Sequence, residues 1–363
     1  MSLGLSSELS ASPYAHEGAS VSRVMLQVCA ALVPCTLYAF YLFGWPALNL
    51  FVVTCTSALV TEILCLLLIG SPALRVFDGS ALLTAWLLAL SLPPWAPWWI
   101  GALGGFFAIA VGKQLYGGIG QNIFNPAMLA RTALLVTFPV QMTAWVQPIP
   151  LLDLAAPDFR EALDITFRSA QWHDGWTGAT ALGHVKTEMT TGATLDVLLQ
   201  SDFQPLFAFV GSASGSMGET SVVFILLGAG YLFWKKLISW EIPTAIFLSL
   251  GLMALLSGGL SNLVFHWSSG GLALGAFFIA TDPVTSPTGR TAKLIFGAGC
   301  GLVIFIIRNW GGFPEAVAFA VLFMNAFTPL IQRYFKPRVY GRMPGGKPLT
   351  SLNPLEILRG VKR

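Results

Sequence analysis

The chain has 363 residues, 55% hydrophobic and only 10% charged, with 37 glycines and a formal net charge of +3. Soluble domains carry about 25% charged residues to solvate their surface, so this composition excludes an ordinary soluble domain and indicates a polytopic membrane protein. No Lys/Arg stretch interleaved with aromatics occurs, so no nucleic-acid partner is expected.

In chain order, the first twenty residues, MSLGLSSELSASPYAHEGAS, lack the basic and apolar regions of a cleavable signal. The first apolar run is therefore expected to remain as an anchor behind a cytoplasmic segment, 1–21. A bilayer core about 30 Å thick needs roughly 17 to 25 helical residues per crossing. Ten segments meet or approach that length. They are 22–44, 47–70, 79–92, 97–115 and 122–144 in a first membrane half (22–145), then 205–234, 239–258, 268–281, 292–308 and 313–332 in a second (205–332). Segments 79–92 and 268–281 are short and end at LPPWAP and TDPVTSP. Broken helices persist at membrane depth only inside protein or beside a cavity, so these two predict half-helices near a midplane site. The expected fold class is an all-α polytopic membrane protein of about ten transmembrane helices.

Charge orients the array, because Lys and Arg collect in short cytoplasmic loops. The tail, 333–363, holds eight basic residues against one acid, Glu356, and is expected to be cytoplasmic. Counting back places Arg75, Lys113, Lys235, Lys236, Arg290 and Lys293 on the same side, with Arg308 and Arg131 as misfits. The 146–204 loop, with eight acids and three bases, falls outside. Residues 78–118 and 268–312 share an order of features: a short half-helix, a proline break, a Gly-Ala-x-x-Gly helix, a basic residue and Gly-Gly. The first copy begins inside and the second outside, which predicts an inverted-topology repeat with a site at its interface.

Five cysteines sit in apolar segments without Cys-x-x-Cys spacing and are read as buried small hydrophobes. His16, His173, His184 and His266 are scattered, no Walker loop or strand-borne G-x-G-x-x-G appears, and no metal site is expected. Charged groups in transmembrane segments are costly and mark a pathway or ligand by default. Lys113, Asn122, Asn125 and Arg131 line a broken segment, Glu219 enters the sixth, and Asp282 stands at a break. For Asp78 and Asp282, capping a half-helix is the alternative reading.

The one long polar stretch, in the 146–204 loop, contains Thr-Gly-Ala-Thr twice, at 177–180 and 191–194. A threonine Oγ can carry a phosphoryl ester, and small neighbours leave its backbone reachable. A glycine turn is the plainer reading of either copy alone.

The motifs SPYAH (12–16), QLYGGIGQNIFNPAMLAR (114–131), FPVQMTAW (138–145), DGWTGATAL (174–182), GSMGETS (215–221), FFIATDPVTSP (277–287) and PRVYG (337–341) run through the chain in order. With them the sequence resembles the NqrB/RnfD family, whose members serve the Rnf complex and the sodium-pumping NADH:quinone reductase. The resemblance implies FMN attached through its phosphate to a threonine, installed from FAD by a flavin transferase that reads Asp-Gly-x-(Ser/Thr)-Gly-Ala-Thr. Only the first copy has the full frame: Asp174, Gly175, Trp176, Thr177, Gly178, Ala179 and Thr180. The second has Glu188 and Met189 where the frame needs Asp and Gly.

Thr180 is thus the expected ester position, with Asp174 and Gly175 as transferase determinants and Thr177, Gly178 and Ala179 completing the motif. The resemblance further implies a non-covalent riboflavin, for which Lys113, Asn122, Asn125, Arg131, Glu219 and Asp282 are candidates, alongside a role in an ion path. The implied function is the membrane flavoprotein subunit of a redox-driven pump in a bacterial inner membrane, coupling NAD(H) and ferredoxin or flavodoxin to Na+ or H+ movement. The chain shows no NADH or iron–sulfur site, so the other Rnf subunits (RnfA, RnfB, RnfC, RnfE and RnfG) are the expected partners. The alternative is a flavin-free channel or secondary transporter, which would have no use for the Asp174 to Thr180 frame.

Overall fold

The computed structural model describes residues 20–168, 180–190, 211, 214–219 and 221–336. Asp174, Gly175, Thr177, Gly178 and Ala179, the second Thr-Gly-Ala-Thr copy and the basic tail lie outside the described residues.

Helix α1 (Val21–Leu68) begins at Ser20, whose hydroxyl accepts from the Arg23 amide, and breaks at Gly44 with φ 69° and ψ −157°. The rings of Phe40 and Phe51 lie 5.4 Å apart, whereas eleven residues of straight helix would separate them by about 16 Å. The chain therefore reverses at Gly44 into two antiparallel arms, 21–43 and 45–68, in the places of the first two predicted segments. Pro46 falls in the first turn of the second arm, where its missing N–H leaves no bond unmade. Helix α2 (Ser80–Ser91) follows. Its Trp86 clamps the hairpin: Nε1 donates to Thr36 Oγ1 at 2.7 Å and the ring meets Phe51 at 5.2 Å.

After the LPPWAP break, α3 (Trp98–Ala110) returns and α4 (Pro126–Thr137) completes the first set. The predicted segment 122–144 is shorter in the structure. Asn125 caps α4 and Pro126 starts it, while Phe138, restricted by Pro139 after it, takes φ −128° and ψ 61° and stops the helix. In the 146–204 loop, α5 (Phe159–Arg168) rests on the helix array through Phe159 against Trp45 and Phe167 against Trp98, and α6 (Ala181–Thr190) follows Thr180.

The predicted segment 205–234 is helical, among the described residues, only as α7 (Val222–Trp234). Helix α8 (Glu241–Ser268) breaks at Gly258 and Gly259, the latter with φ 70° and ψ −160°. Trp267 Nε1 donates to the Phe247 carbonyl at 3.1 Å although about 30 Å of straight helix would part them, so α8 is also a hairpin. Its second arm leads to α9, Leu272–Leu274 continued by a π-helical turn, Gly275–Ile279. Helices α10 (Arg290–Trp310) and α11 (Val317–Tyr334) close the chain.

By length and composition α1, α8 and α10 suffice to cross a membrane, and α2, α4 and α7 are shorter apolar helices. Apolar residues occupy both sides of α1: Leu32 and Leu50 are buried while Leu37, Leu64 and Leu67 are exposed. A helix apolar all round suits a membrane span.

The repeat is visible in packing. A Cβ on Gly105 would sit 2.7 Å from the Thr54 carbonyl oxygen, and one on Gly301 would sit 2.5 Å from that of Ile246. With Gly101 and Gly297 one turn earlier, α3 and α10 thus use the same small-residue face for close backbone approach, against α1 and α8 respectively. The half-helices run in opposite directions. α2 starts at a cavity that it shares with α9 and ends beside Glu219, where the Gly218 amide bonds the Leu90 carbonyl. α9 starts beside Glu219, after Gly271, and ends at that shared cavity. Of the five cysteines, all free, only Cys65 is not fully buried.

Candidate functional site

Two cavities lie near the ends of the half-helices. The larger, a cleft of about 820 Å³, is walled by Ser80, Leu83, Thr84 and Leu87 from one face of α2 and by Phe277 and Phe278 of α9. Lys113, Asn122, Asn125 and Asp282 supply its polar groups. Four of the predicted residues, drawn from both membrane halves, are therefore brought together.

Their bonds separate ligand-ready groups from structural ones. Asn125 Oδ1 accepts from the Ala127 and Met128 amides, capping α4, and Nδ2 donates to the Ile279 carbonyl at 3.5 Å. Asp282 accepts from the Val284 amide and the Thr285 hydroxyl, which makes it a turn cap. Asp78 accepts from the Ser80 amide at 2.8 Å and caps α2 in the same way. Capping thus accounts for both aspartates. Asn122 donates to the Phe124 carbonyl at 3.1 Å. Lys113 is buried and bonds Glu62 Oε1 at 2.7 Å and Ser80 Oγ at 2.6 Å. Its charge is neutralised by a carboxylate that the sequence motifs do not single out. A signal for it exists, since a lone acid within TEILCLLL requires a partner.

The second cavity, about 350 Å³, lies at the other end of the half-helices and holds Thr180 with Ser214, Glu219, Ser268 and Ser269. Thr180 is 4% exposed and caps α6: Oγ1 accepts from the Gly183 amide at 3.0 Å, and its carbonyl accepts from His184 at 2.8 Å. Helix α6 is pinned by Lys186, whose Nζ donates to the Gly311 carbonyl and reaches those of Ile307 and Arg308 at 3.5 and 3.4 Å. An ammonium at these terminal carbonyls complements the dipole of α10. Partial burial draws the Lys186 pKa below its ordinary value, and the carbonyls oppose that shift by favouring the ammonium.

Behind this cavity lies a charge cluster. Arg131 pairs with Glu315 and stands 3.9 Å from Glu219. Arg308 donates to the carbonyls of His266 at 2.7 Å and Ser269 at 2.8 Å. Both misfits of the charge rule are therefore buried inside the protein and carry no weight in orienting the chain. Arg131 and Glu219 join the Thr180 site and not the cleft. Glu315, His266 and Lys186 escape sequence reasoning because their partners are 42 to 184 positions away.

The pattern has counterparts in known proteins. A sequence model of the NQR2, RnfD, RnfE family matches residues 8–341. The D subunit of the ion-translocating oxidoreductase complex of Stutzerimonas stutzeri is 56% identical over 337 residues, 92% of this chain and 95% of that protein. The corresponding protein of Halorhodospira halophila, bearing the same name, is 46% identical over 351 residues, 95% of this chain and 98% of that protein. That of Escherichia coli O17:K52:H18 is 40% identical over 354 residues, covering 93% and 99%.

Proposed function

The chain belongs to the NQR2, RnfD, RnfE family, and from that premise we propose that it is the membrane flavoprotein subunit of an ion-translocating oxidoreductase complex. FMN is held as a phosphate ester on Thr180, and riboflavin occupies the cleft. Bound there, the two flavins supply electron carriers at two depths of the bilayer. The carrying observation is that the half-helices run between the two sites: Leu87 of α2 lines the cleft while the Leu90 carbonyl accepts from Gly218, next to Glu219 of the Thr180 cavity, and Phe277 of α9 lines the cleft while Gly270, two residues before α9, lines the Thr180 cavity.

The residues fit both groups. Esterification replaces the hydroxyl hydrogen of Thr180 but leaves the lone pair that accepts from Gly183, so the cap survives. The phosphate then stands at the N-terminus of the ten-residue α6, where amides and the helix dipole favour an anion. The cleft joins apolar walls to a few polar groups, the kind of lining usual for cofactor sites.

In this reading the Thr180 loop is periplasmic, both termini are cytoplasmic, and a flavin transferase matures the chain. RnfA, RnfB, RnfC, RnfE and RnfG complete a reaction between NAD(H) and ferredoxin or flavodoxin that moves Na+ or H+. The test is in-gel flavin fluorescence of the full chain expressed with a transferase. The denatured band is expected to be bright in wild type and Thr194→Val and dark in Thr180→Val; a bright Thr180→Val band overturns the assignment.

A further inference from the structure

Thr180 is a poor acceptor for a large donor in the position where the fold holds it. The residue is 4% exposed, its Oγ1 already accepts from the Gly183 amide at 3.0 Å, and the space beside it takes only about one or two waters. Phosphoryl transfer needs the incoming phosphorus in contact with the attacking oxygen and the leaving group in line on its far side. A dinucleotide does not reach Oγ1 under those conditions, so α6 has to move first.

Helix α6 is held down by groups distant in sequence. Leu182 and Val185 are buried. The Lys186 ammonium clasps the end of α10, donating to the Gly311 carbonyl and standing 3.5, 3.4 and 3.5 Å from those of Ile307, Arg308 and Phe313. A helix of ten residues is marginal by itself in water. Without its docking it tends to unwind, and the bond from Gly183 to the Thr180 hydroxyl goes with it.

We infer that the clasp of Lys186 on α10 governs esterification of Thr180: the transferase acts while α6 is lifted, and closure of the clasp ends its access. This rests on the reading of Thr180 as the ester position. In the step itself Thr180 Oγ attacks the FMN phosphorus of FAD. The ester P–O bond forms as the pyrophosphate P–O bond to AMP breaks, AMP departs, the hydroxyl proton is lost to a base, and nothing is oxidised or reduced.

Two further observations agree. Lys186 lies outside the 174–180 frame, so it can control access without taking part in recognition. The clasp also closes late. Gly311 follows Lys186 by 125 positions, which at about 5–20 residues per second is roughly 6 to 25 s of synthesis. For that interval the segment around Thr180 exists without the carbonyls that fasten it.

The test is a time course on the full chain purified from cells that lack the transferase. Transferase and FAD are added, and flavin fluorescence of the denatured band is read, with chain co-expressed with the transferase as the fully bright reference. Wild type is expected to react slowly, Lys186→Met at least five-fold faster, and Val185→Ser, which loosens another anchor of α6, at least three-fold faster. Lys186→Arg, which keeps a cation able to donate to the carbonyls, should stay within two-fold of wild type. So should Lys293→Met, which removes a 2.8 Å bond to Ser239 at the other end of α10.

Lys186→Met and Val185→Ser no faster than wild type overturn the inference; if Lys186→Met fails to fold, Val185→Ser decides the same question. Lys186→Arg and Lys293→Met both as fast as Lys186→Met also overturn it, since general loosening would then be the cause. A dark reference, or a bright band in Thr180→Val, overturns the Thr180 reading instead.

Discussion

Glu62 and Lys113 meet from 51 positions apart at 2.7 Å, with side chains 2% and 4% exposed. Ser80 and Asp78 extend the contact as a chain of bonds toward the less buried end. Desolvating two charges costs several kcal/mol each, and their attraction offsets that only while both are present. Glu62→Gln alone strands the ammonium, so it is expected to destabilise the protein by about 3–5 kcal/mol, whereas Glu62→Leu combined with Lys113→Leu recovers most of the loss. Thermal unfolding of the purified chain in detergent, run as a double-mutant cycle, measures this; a single replacement as harmless as the pair would refute the coupling. At Thr180 the contrast runs the other way. Thr180 is singled out by a frame that is local in sequence, whereas its burial and its role as the α6 cap are not legible there.

At the scale of elements, the glycines of α3 and α10 have different work from those on open faces. A side chain at Gly105 or Gly301 would press on backbone oxygens that cannot rotate away, while Gly230 on α7 has nothing within 4 Å of a Cβ. Gly105→Val and Gly301→Val are therefore expected to cost at least 1–3 kcal/mol, roughly the penalty of overpacking. Gly230→Ala should be neutral or stabilising by up to about 1 kcal/mol. Melting temperatures of the three variants check both signs; equal effects at all three would remove the packing distinction.

The element order is readable because hydropathy and glycine spacing are local signals, and each of the ten predicted segments contains helix among the described residues. Length is what misleads. The apolar run 122–144 extends beyond the helix that Asn125 and Pro126 begin and Phe138 ends, and hydropathy does not register such boundaries. Ion pairs across helices are illegible, since no spacing rule links Arg131 to Glu315.

For the whole molecule, the proposed orientation has a direct consequence for labelling. Leu154, in the 146–204 loop, and Leu74, before α2, are both exposed, and four of the five native cysteines are buried. In intact cells from which the outer membrane is removed, a membrane-impermeant maleimide should label Leu154→Cys. Leu74→Cys should react only after the inner membrane is permeabilised, and the reverse pattern would invert the topology. Membrane depth also gives meaning to the way α2 and α9 are shared. Each lines the cleft at one end and at the other adjoins the chain that carries Glu219 or Gly270 of the Thr180 cavity, so a shift of either helix reaches both spaces. If filling one alters affinity in the other, thermodynamic reciprocity requires the same factor in return. In the proposed reading the two cofactor sites are in that sense linked, and loading order can change the path to the mature protein but never its final stability.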